Sequence, residues 1–303
     1  MRTIPDKEIA PLKNTHIRYF LFVVLILTFG PPAFCQVCAT NAPQGICGPY
    51  FYPPVTGSNG SNVNVQNDFW NSANAPAGSS QTMHSFNPGN WYVEATFPTG
   101  NTPIESYPDS DAIYTNAPVS NFTYMYSSFA ENMNLNPSTD AEAAYDIWLN
   151  GYNNEVMIWT DISNRGFPGW NVCTSAPPIA QVVFGGSYGV PKHMWDLVKC
   201  GSEIVWYLDQ ESLTLCGAAD HQKDGPGIPH ESVDVGTPSI YGISKGSVDI
   251  HTMLTWLMTN GYLPSDSTLT QLEYGFEIAS TGGVNERFQV TNWSLTDGIT
   301  PPK

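Results

Sequence analysis

The sequence predicts an all-β fold, and three features of the chain support this prediction. From about residue 48 onward, short apolar or alternating runs are separated by Gly, Pro, Asn and Ser, the pattern of strands joined by turns in an antiparallel sandwich or barrel. One stretch stands out as an amphipathic helix. The chain has 303 residues, of which 41% are hydrophobic and 13% aromatic, so it can fill one large core. We expect a sheet protein with one packed helix.

The predicted strands follow one another along the chain with turn signals between them. In order, they are NWYVEATF, NFTYMYSSF, AAYDIWLN, NEVMIWTD, AQVVFGG, SEIVWYLD, LTQLEYGFEIA and RFQVTNWSL. Because successive side chains of a strand point to opposite faces of a sheet, each run divides its residues between two faces.

The predicted helix is GSVDIHTMLTWLMTNG, which precedes the run LTQLEYGFEIA. Ser247 is expected as its N-cap, with Asp249 in the first turn and Asn260-Gly261 as the stop signal. We expect the helix to pack on the outer side of a sheet through an apolar stripe with helical spacing. The stripe consists of Ile250, Met253, Leu254, Leu257 and Met258.

Residues 1–35 are predicted to be a signal peptide. Four basic residues precede the apolar run YFLFVVLILTF, whose eleven residues are too few to span a bilayer and suit the central region of a signal peptide. Ala33 and Cys35 suit the −3 and −1 positions of a cleavage site, so we expect a secreted protein without membrane attachment after processing. A retained signal anchor is the alternative. Residues 36–59 then form an N-terminal extension, and residues 60–303 form the main domain.

Composition excludes two classes of partner. The net charge is −16, with 27 Asp and Glu against 11 Lys and Arg. Such a surface repels nucleic acid and anionic lipid, because phosphate binding needs basic patches. The six cysteines could form disulfides after export, but their pairing stays open, and none of their spacings is that of a zinc site. We interpret the polar stretch Gly217–Gly236 as a long surface loop.

Acidic and aromatic side chains alternate on one face of three predicted strands. Asp146 and Trp148 share a face of AAYDIWLN, while Glu277 lies on the face of LTQLEYGFEIA opposite the core residues. In NEVMIWTD, the face opposite Val156 and Ile158 holds Glu155, Met157, Trp159 and Asp161. Aromatic rings interleaved with carboxylates are typical of a sugar-binding groove, and a pair of carboxylates can cleave a glycosidic bond.

Two long motifs carry a family resemblance. AAYDIWLNGYNNEVMIW, followed much later by LTQLEYGFEI, resembles glycoside hydrolase family 12, the small endoglucanases and xyloglucan hydrolases, over roughly residues 60–296. NDFW and SYP resemble further landmarks of that family in the right order. The resemblance implies a β-jelly roll of two curved antiparallel sheets with a concave substrate cleft. It also makes residues 60–303 a glycoside hydrolase catalytic domain and implies retaining endo-hydrolysis of β-1,4-glucosidic bonds.

The resemblance also implies roles for individual residues. Glu155 matches the nucleophile, Glu277 the general acid/base, and Asp146 the aspartate that hydrogen-bonds the nucleophile. Trp70 matches a tryptophan that stacks on glucose, and Asp68 beside it stands where the family commonly has Asn. The remaining implied substrate-binding residues are Met157 and Trp159, expected to line the cleft floor, and Trp148.

The chemistry expected of this pair sets the protonation of each carboxyl group. Glu155 must be ionised to attack the anomeric carbon, and Glu277 must hold a proton, so its pKa is expected to be raised by the charge on Glu155. No metal and no cofactor is expected in the reaction. We expect a monomer that acts on β-glucan polysaccharide.

Four alternatives stay open. The cleft could be specific for xyloglucan rather than for plain cellulose chains, or the enzyme could be a xylanase of the related jelly-roll family. The protein could also be a non-catalytic sugar-binding jelly roll. GGSYG at residues 185–189 fits the nucleophile elbow of an esterase, with Ser187 as nucleophile and Asp249 and His251 as its partners. That elbow requires a helix directly after the serine, and Pro191 argues against one.

Overall fold

A computed structural model describes residues 36–40, 46–50, 63–98, 104–133, 135–163, 178–200, 203–208 and 242–298. These residues lie in one compact unit, Cys35–Lys303. They form strands together with one 3-10 turn (Val119–Asn121) and one α-helix, α1 (Ile250–Thr259). The strands are β1 (Gln36–Thr40), β2 (Ile46–Tyr50), β3 (Val63–Gln66), β4 (Ser80–Asn87), β5 (Asn90–Thr96), β6 (Asp109–Pro118), β7 (Tyr124–Asn132), β8 (Asp140–Leu149), β9 (Asn154–Ile162), β10 (Ala180–Phe184), β11 (His193–Cys200), β12 (Glu203–Leu208), β13 (Lys245–Val248), β14 (Thr268–Ser280) and β15 (Glu286–Gly298).

The strands form two sheets, which confirms the predicted all-β class. The six-stranded sheet has the order β1-β4-β5-β15-β7-β13, and the nine-stranded sheet has the order β10-β11-β12-β9-β8-β14-β6-β3-β2. Every pairing between these strands is antiparallel except one: β12 runs parallel to β9, with Trp206 opposite Ile158. The predicted jelly roll of two antiparallel sheets therefore holds apart from this pair.

The core lies between the two sheets and is filled from the alternating faces of their strands. Trp91 of β5 meets Phe276 of β14 edge to face at 5.6 Å, and Phe129 of β7 packs against Tyr145 and Tyr274. All five rings are almost completely buried. Burying one such side chain contributes about 1.5–3 kcal/mol, so these contacts fix which face of β8 and β14 points inward. The opposite face of the nine-stranded sheet is not covered by the other sheet and is available for a functional site.

The helix differs from its prediction in two respects. Asp249, not Ser247, is the N-cap: its carboxylate accepts hydrogen bonds from the backbone N–H and the hydroxyl of Thr252. The helix also packs on the inner side of the nine-stranded sheet rather than its outer side, because Trp256 contacts Trp206 and Phe184 on the core face. Four members of the predicted stripe are buried, namely Ile250, Met253, Leu254 and Leu257.

The chain contributes strands before residue 60, the predicted start of the main domain. β1 pairs with β4 and β2 pairs with β3, so the stretch predicted to be an extension supplies an edge strand to each sheet. Residues 1–35 and the predicted loop 217–236 lie outside the described residues. Within the described ranges, no helix is long and apolar enough to cross a membrane.

The esterase interpretation of GGSYG is wrong. The segment forms a turn between β10 and β11, so a strand follows Ser187 where a nucleophile elbow requires a helix. Asp249 is occupied in capping α1, where its side chain binds Thr252.

Candidate active site

The face of the nine-stranded sheet that points away from the core carries most of the predicted site residues. We call it the carboxylate face. It combines residues of three neighbouring strands, β9, β8 and β14, with the short strand β12 beside them. Its central members are Glu155, Met157 and Trp159 of β9, Glu142, Asp146 and Trp148 of β8, and Glu273 and Glu277 of β14.

Strand pairing places Glu155 and Glu277 on either side of β8. Glu155 lies opposite Trp148, and Glu277 lies opposite Glu142. Asp146, between these two positions along β8, interacts electrostatically with both glutamates. Glu155 and Glu277 are half-buried, so a bound chain can reach them. The structure thus brings the predicted nucleophile, acid/base and supporting aspartate together.

Burial raises the pKa of both glutamates. The pKa of Glu155 rises to about 8, first by loss of solvent and then by repulsion from Glu203 and Glu277. The pKa of Glu277 rises to about 7, again chiefly by burial, with a smaller contribution from Glu203. The charge on Glu155, predicted from the sequence as the cause of the raised pKa of Glu277, is not among the main causes, which are burial and then the charge on Glu203. Groups this close titrate as a pair that holds one proton over a range near neutral pH.

Glu142 is a neighbour of Glu277 that is not among the predicted site residues. Its side chain is fully buried, and burial followed by repulsion from Glu277 raises its pKa well above the ordinary range. Neither carboxyl oxygen of Glu142 lies at full hydrogen-bond geometry to a partner, but a protonated Glu142 beside Glu277 can donate toward its carboxylate, which lowers the pKa of Glu277. Because side chains alternate between the two faces of a strand, Glu142, which directly precedes AAYDIWLN, falls on the same face as Asp146. The sequence therefore does contain the signal that identifies Glu142.

Glu203 is a further carboxylate beside the pair, and no local pattern identifies it. Because β12 runs parallel to β9 with Ile204 opposite Val156, Glu203 at the start of β12 comes close to Glu155. Its charge also acts on Glu277, Asp146 and Glu142. Burial raises the pKa of Glu203 itself. Only the pairing of two strands distant in sequence reveals this neighbour.

The interaction of Asp146 with Glu155 is electrostatic, whereas its predicted role requires a hydrogen bond. Its charge interacts with Glu277 and Glu155, but no hydrogen bond joins the Asp146 and Glu155 side chains in the described part of the chain. Burial, followed by repulsion from Glu277 and Glu155, raises the pKa of Asp146 well above its ordinary range. The predicted hydrogen bond to the nucleophile stays a prediction.

The segment 104–108 covers the end of β14 next to Glu277. The backbone N–H of Glu105 donates to the carbonyl of Ile278 at 2.8 Å, and the hydroxyl of Tyr107 donates to the carbonyl of Ala144 at 3.1 Å. Tyr107 is buried among the carboxylates, so burial and then their charges raise the pKa of its hydroxyl well above 10. Gly275 permits this close approach, because a Cβ there would lie 2.1 Å from the carbonyl oxygen of Pro108. The SYP landmark therefore contributes a buried tyrosine to the site.

The predicted aromatic residues of the site have unequal exposure. Trp70 is 51% exposed and can present a ring face to a sugar. Trp148 is half-buried, donates its indole N–H to Glu273 at 3.0 Å, and lies 5.8 Å from the ring of Tyr152. Tyr152, 55% exposed and not identified from the sequence, donates its hydroxyl to Gln271 at 2.7 Å. The half-buried Trp148 and the exposed Tyr152 together form an aromatic pair on the carboxylate face.

Met157 and Trp159 support the carboxylate face from below. Trp159 is only 2% exposed and Met157 is 4% exposed, so neither offers a ring or chain to stack on a sugar. They belong to a small apolar cluster on this side of the sheet with Ala144, Val205 and Ala279. The structure places both side chains in packing contacts beneath the carboxylates, and their predicted contact with substrate stays a prediction.

The neighbourhood of Asp68 is acidic. Asp68 has a left-handed backbone with φ 25°, and its carbonyl accepts hydrogen bonds from the backbone N–H of Tyr107 and the hydroxyl of Ser106. Burial and repulsion from Asp111 raise the pKa of Asp68 to about 6. The carboxylates of Asp109, Asp111 and Glu273 lie together nearby and are the group of described residues that could hold a metal ion.

Substitution of Trp70 by alanine is expected to weaken substrate binding without unfolding the protein. Because the ring is half exposed, its removal should change the free energy of unfolding by no more than about 0.5 kcal/mol. Loss of one stacking surface should cost about 1 kcal/mol of binding, or a rise of roughly five- to tenfold in KM on oligosaccharides. Kinetics and a thermal melt of the same sample measure both, and an unchanged KM contradicts a role in stacking.

Solved structures share this fold. The xyloglucanase domain of NopAA from Sinorhizobium fredii, solved with cellobiose, has a TM-score of 0.57 at 21% identity, covering 88% of this chain and 99% of that one. The catalytic domain of Humicola grisea Cel12A, solved with a thio cellotetraose, has a TM-score of 0.57 at 18% identity, covering 87% and 97%. A family 12 xyloglucanase from Bacillus licheniformis has a TM-score of 0.55 at 14% identity, covering 87% and 99%.

No protein-family model matches the chain, and no curated protein matches it in sequence. The likeness therefore lies in the arrangement of the strands rather than in the sequence as a whole. The structural resemblance predicted from the two glutamate-bearing motifs is confirmed at this level: the chain has the β-jelly-roll fold of the family 12 glycoside hydrolases.

Proposed function

We propose that this protein is a retaining endo-β-1,4-glucanase that hydrolyses internal bonds of cellulose-type β-glucans. The observation that carries the proposal is the pair Glu155 and Glu277, held on one face of the nine-stranded sheet on either side of Asp146. The shared fold supports it, since the similar structures include enzymes named as endoglucanases and xyloglucanases. We further propose that the mature protein is secreted and monomeric.

In the first step, Glu155 forms a covalent bond to the sugar. Its carboxylate attacks the anomeric carbon, the glycosidic C–O bond breaks, and Glu277 donates its proton to the departing oxygen. The productive form of the pair is the one in which Glu155 is ionised and Glu277 is protonated. This is one of the two singly protonated forms that the coupled pair can take.

In the second step, water releases the sugar. Glu277, now ionised, takes a proton from a water molecule whose oxygen attacks the anomeric carbon, and the bond to Glu155 breaks. Two inversions at the same carbon leave its configuration unchanged. Esterification of Glu155 removes one of the repelling charges in a site rich in carboxylates, which favours ionisation of Glu277 at the moment when a base is needed.

The stereochemical outcome tests the proposal. Proton NMR of a cellooligosaccharide digest is expected to show the β-anomer of the new reducing end first, with the α-anomer appearing by later mutarotation. Viscosity of carboxymethylcellulose should fall faster than reducing ends accumulate, because internal bonds are cut. If the α-anomer forms first, the enzyme inverts and Glu155 is not the nucleophile.

A xyloglucan-specific enzyme is the second candidate. Two of the compared structures, from Sinorhizobium fredii and Bacillus licheniformis, are named xyloglucanases. Rates on carboxymethylcellulose, mixed-linkage β-glucan, xyloglucan and xylan separate the candidates. A kcat/KM on xyloglucan well above that on the unbranched glucans favours the second, and activity on xylan alone contradicts both.

A further inference from the structure

Three carboxylates to which we assign no role in bond cleavage form a compact group on β6 and β14, next to the carboxylate face. Asp109 and Asp111 belong to β6 and Glu273 belongs to β14, where it lies directly opposite Asp111. One oxygen from each of the three side chains lies within 4.8 Å of the other two. All three residues are buried, so water screens their charges poorly.

Asp109 distinguishes this group from an ordinary cluster of acidic residues, because its carboxylate is buried without a hydrogen-bond partner. The residue is 1% exposed, and neither of its carboxylate oxygens has a hydrogen-bond partner. Its side chain points toward Asp111 and Glu273 and contributes a ligand atom to the group. A buried carboxylate with both oxygens unsatisfied is strongly disfavoured unless a cation or a proton compensates it.

The other two carboxylates are held in place by donors. Asp111 accepts hydrogen bonds from the backbone N–H of Asn64 at 3.0 Å and from the side chain of Gln66 at 2.6 Å. Gln271 donates its side-chain N–H to Asp111 at 3.1 Å and to Glu273 at 2.5 Å. Hydrogen bonds of this kind favour the ionised form of a carboxyl group and fix the orientation of a metal ligand.

No basic side chain neutralises these charges within the described part of the chain. There the ion pairs involve Glu94 of β5, which contacts His84 and Arg287. Among these residues, compensation is therefore left to a cation from solution or to bound protons.

We propose that Asp109, Asp111 and Glu273 form a binding site for a divalent cation, preferentially Ca²⁺. The ligand set consists of carboxylate oxygens, which hard cations prefer. Ca²⁺ binds oxygens at about 2.3–2.6 Å, so two ligands on opposite sides of the ion lie up to about 5 Å apart, which accommodates oxygens that all lie within 4.8 Å of one another. Mg²⁺ binds at about 2.0–2.1 Å in near-ideal octahedral geometry and usually keeps several waters, so a site of three carboxylates favours Ca²⁺. Water would complete the coordination, and the cation takes no part in bond cleavage.

Thermal stability tests this site independently of activity. After treatment with EDTA and dialysis, the mature wild-type protein is expected to melt at a temperature that rises with CaCl₂ and saturates, by about 5–10 °C at a hundredfold excess over Kd. MgCl₂ should give a smaller shift. Asp109→Asn should lose the calcium-dependent shift. Asp297→Asn, a matched change at a buried aspartate that Tyr114 hydrogen-bonds, should keep it.

Terbium luminescence gives a direct measure of binding if a variant proves unstable. The indole of Trp148 donates to Glu273, so Tb³⁺ in the site should be sensitised by excitation of tryptophan. We expect emission that Ca²⁺ competes away in the wild type and that Trp148→Phe reduces several-fold. The proposal is overturned if the wild type shows neither a calcium-dependent shift nor competed emission, or if Asp109→Asn retains both. In that case protons compensate the three carboxylates.

Discussion

Replacement of Glu155 by glutamine is expected to lower kcat/KM for β-glucan hydrolysis by at least about 10⁴-fold, because the amide cannot form the glycosyl-enzyme. The fold should survive, since glutamine has nearly the same volume. Burial raises the pKa of Glu155 to about 8 in the folded protein, so the folded state binds more protons than the unfolded one above the ordinary pKa. This group therefore reduces stability as the pH rises through that range. The variant should melt at the same temperature as the wild type at pH 4 and at a higher temperature at pH 9.

The affinity for cellooligosaccharides has to be measured together with turnover, because a loss of turnover alone does not separate catalysis from binding. The Glu155→Gln variant should bind cellooligosaccharides with a Kd close to that of the wild type, and Glu94→Gln, a matched change at an exposed pair with Arg287, should keep full activity. If the wild type binds these sugars but has no turnover, the protein is the non-catalytic sugar-binding jelly roll. A Glu155→Gln variant that still hydrolyses β-glucan at the wild-type rate removes Glu155 from the mechanism.

The faces of the long strands could be predicted from the sequence because the period of a strand is two. Leu272, Tyr274 and Phe276 fill the core, so Glu273 and Glu277 must point the other way. The same rule places Glu155 on the carboxylate face, since Val156 is in the core. Strong hydrophobic burial on one face fixes the register of each strand, and the polar face follows without further information.

The rule fails where the backbone departs from regular pairing. Ala144 lies opposite Trp159, but Ala143 lies opposite Asp161, so Thr160 is an extra residue in β9. This bulge turns Asp161 to the inner side, where it interacts with Glu131 of β7, instead of onto the face of Trp159. The predicted common face of Glu155, Met157, Trp159 and Asp161 is therefore wrong at its last member. No residue type in the run marks the bulge.

Contacts between distant strands are the other part that sequence patterns could not supply. Glu203 reaches Glu155 only because β12 pairs in parallel with β9, and Tyr107 enters the site only because Gly275 leaves room for the segment 104–108. The helix shows the same limit. Its apolar stripe predicts burial but does not state which side of the sheet Trp256 will contact.

Replacement of Glu277 by alanine is expected to affect substrates according to their leaving groups. Hydrolysis of β-glucan should fall by about 10²–10⁴-fold, because the departing sugar oxygen needs a proton. An aryl cellobioside with an acidic phenol leaves without that proton, so its first step should be nearly unchanged. The second step still lacks its base, and a burst of phenol followed by slow turnover should appear. Azide, which needs no base, should restore turnover by attacking the anomeric carbon, breaking the bond to Glu155 and giving the β-glycosyl azide.

The dependence of activity on pH tests whether Glu277, among the carboxyl groups around it, is the group that supplies the proton. These are Glu142 and Asp146 from β8, Glu155 from β9 and Glu203 from β12. Because the general acid must be protonated and its pKa is raised to about 7, wild-type activity should fall as the pH rises above about 7. In Glu277→Ala this decline should vanish from the first step with the aryl substrate, while Glu131→Gln, a buried glutamate outside the carboxylate face, should keep it. A decline that persists unchanged in Glu277→Ala assigns the proton to another carboxyl group of the face, with Glu142 the nearest.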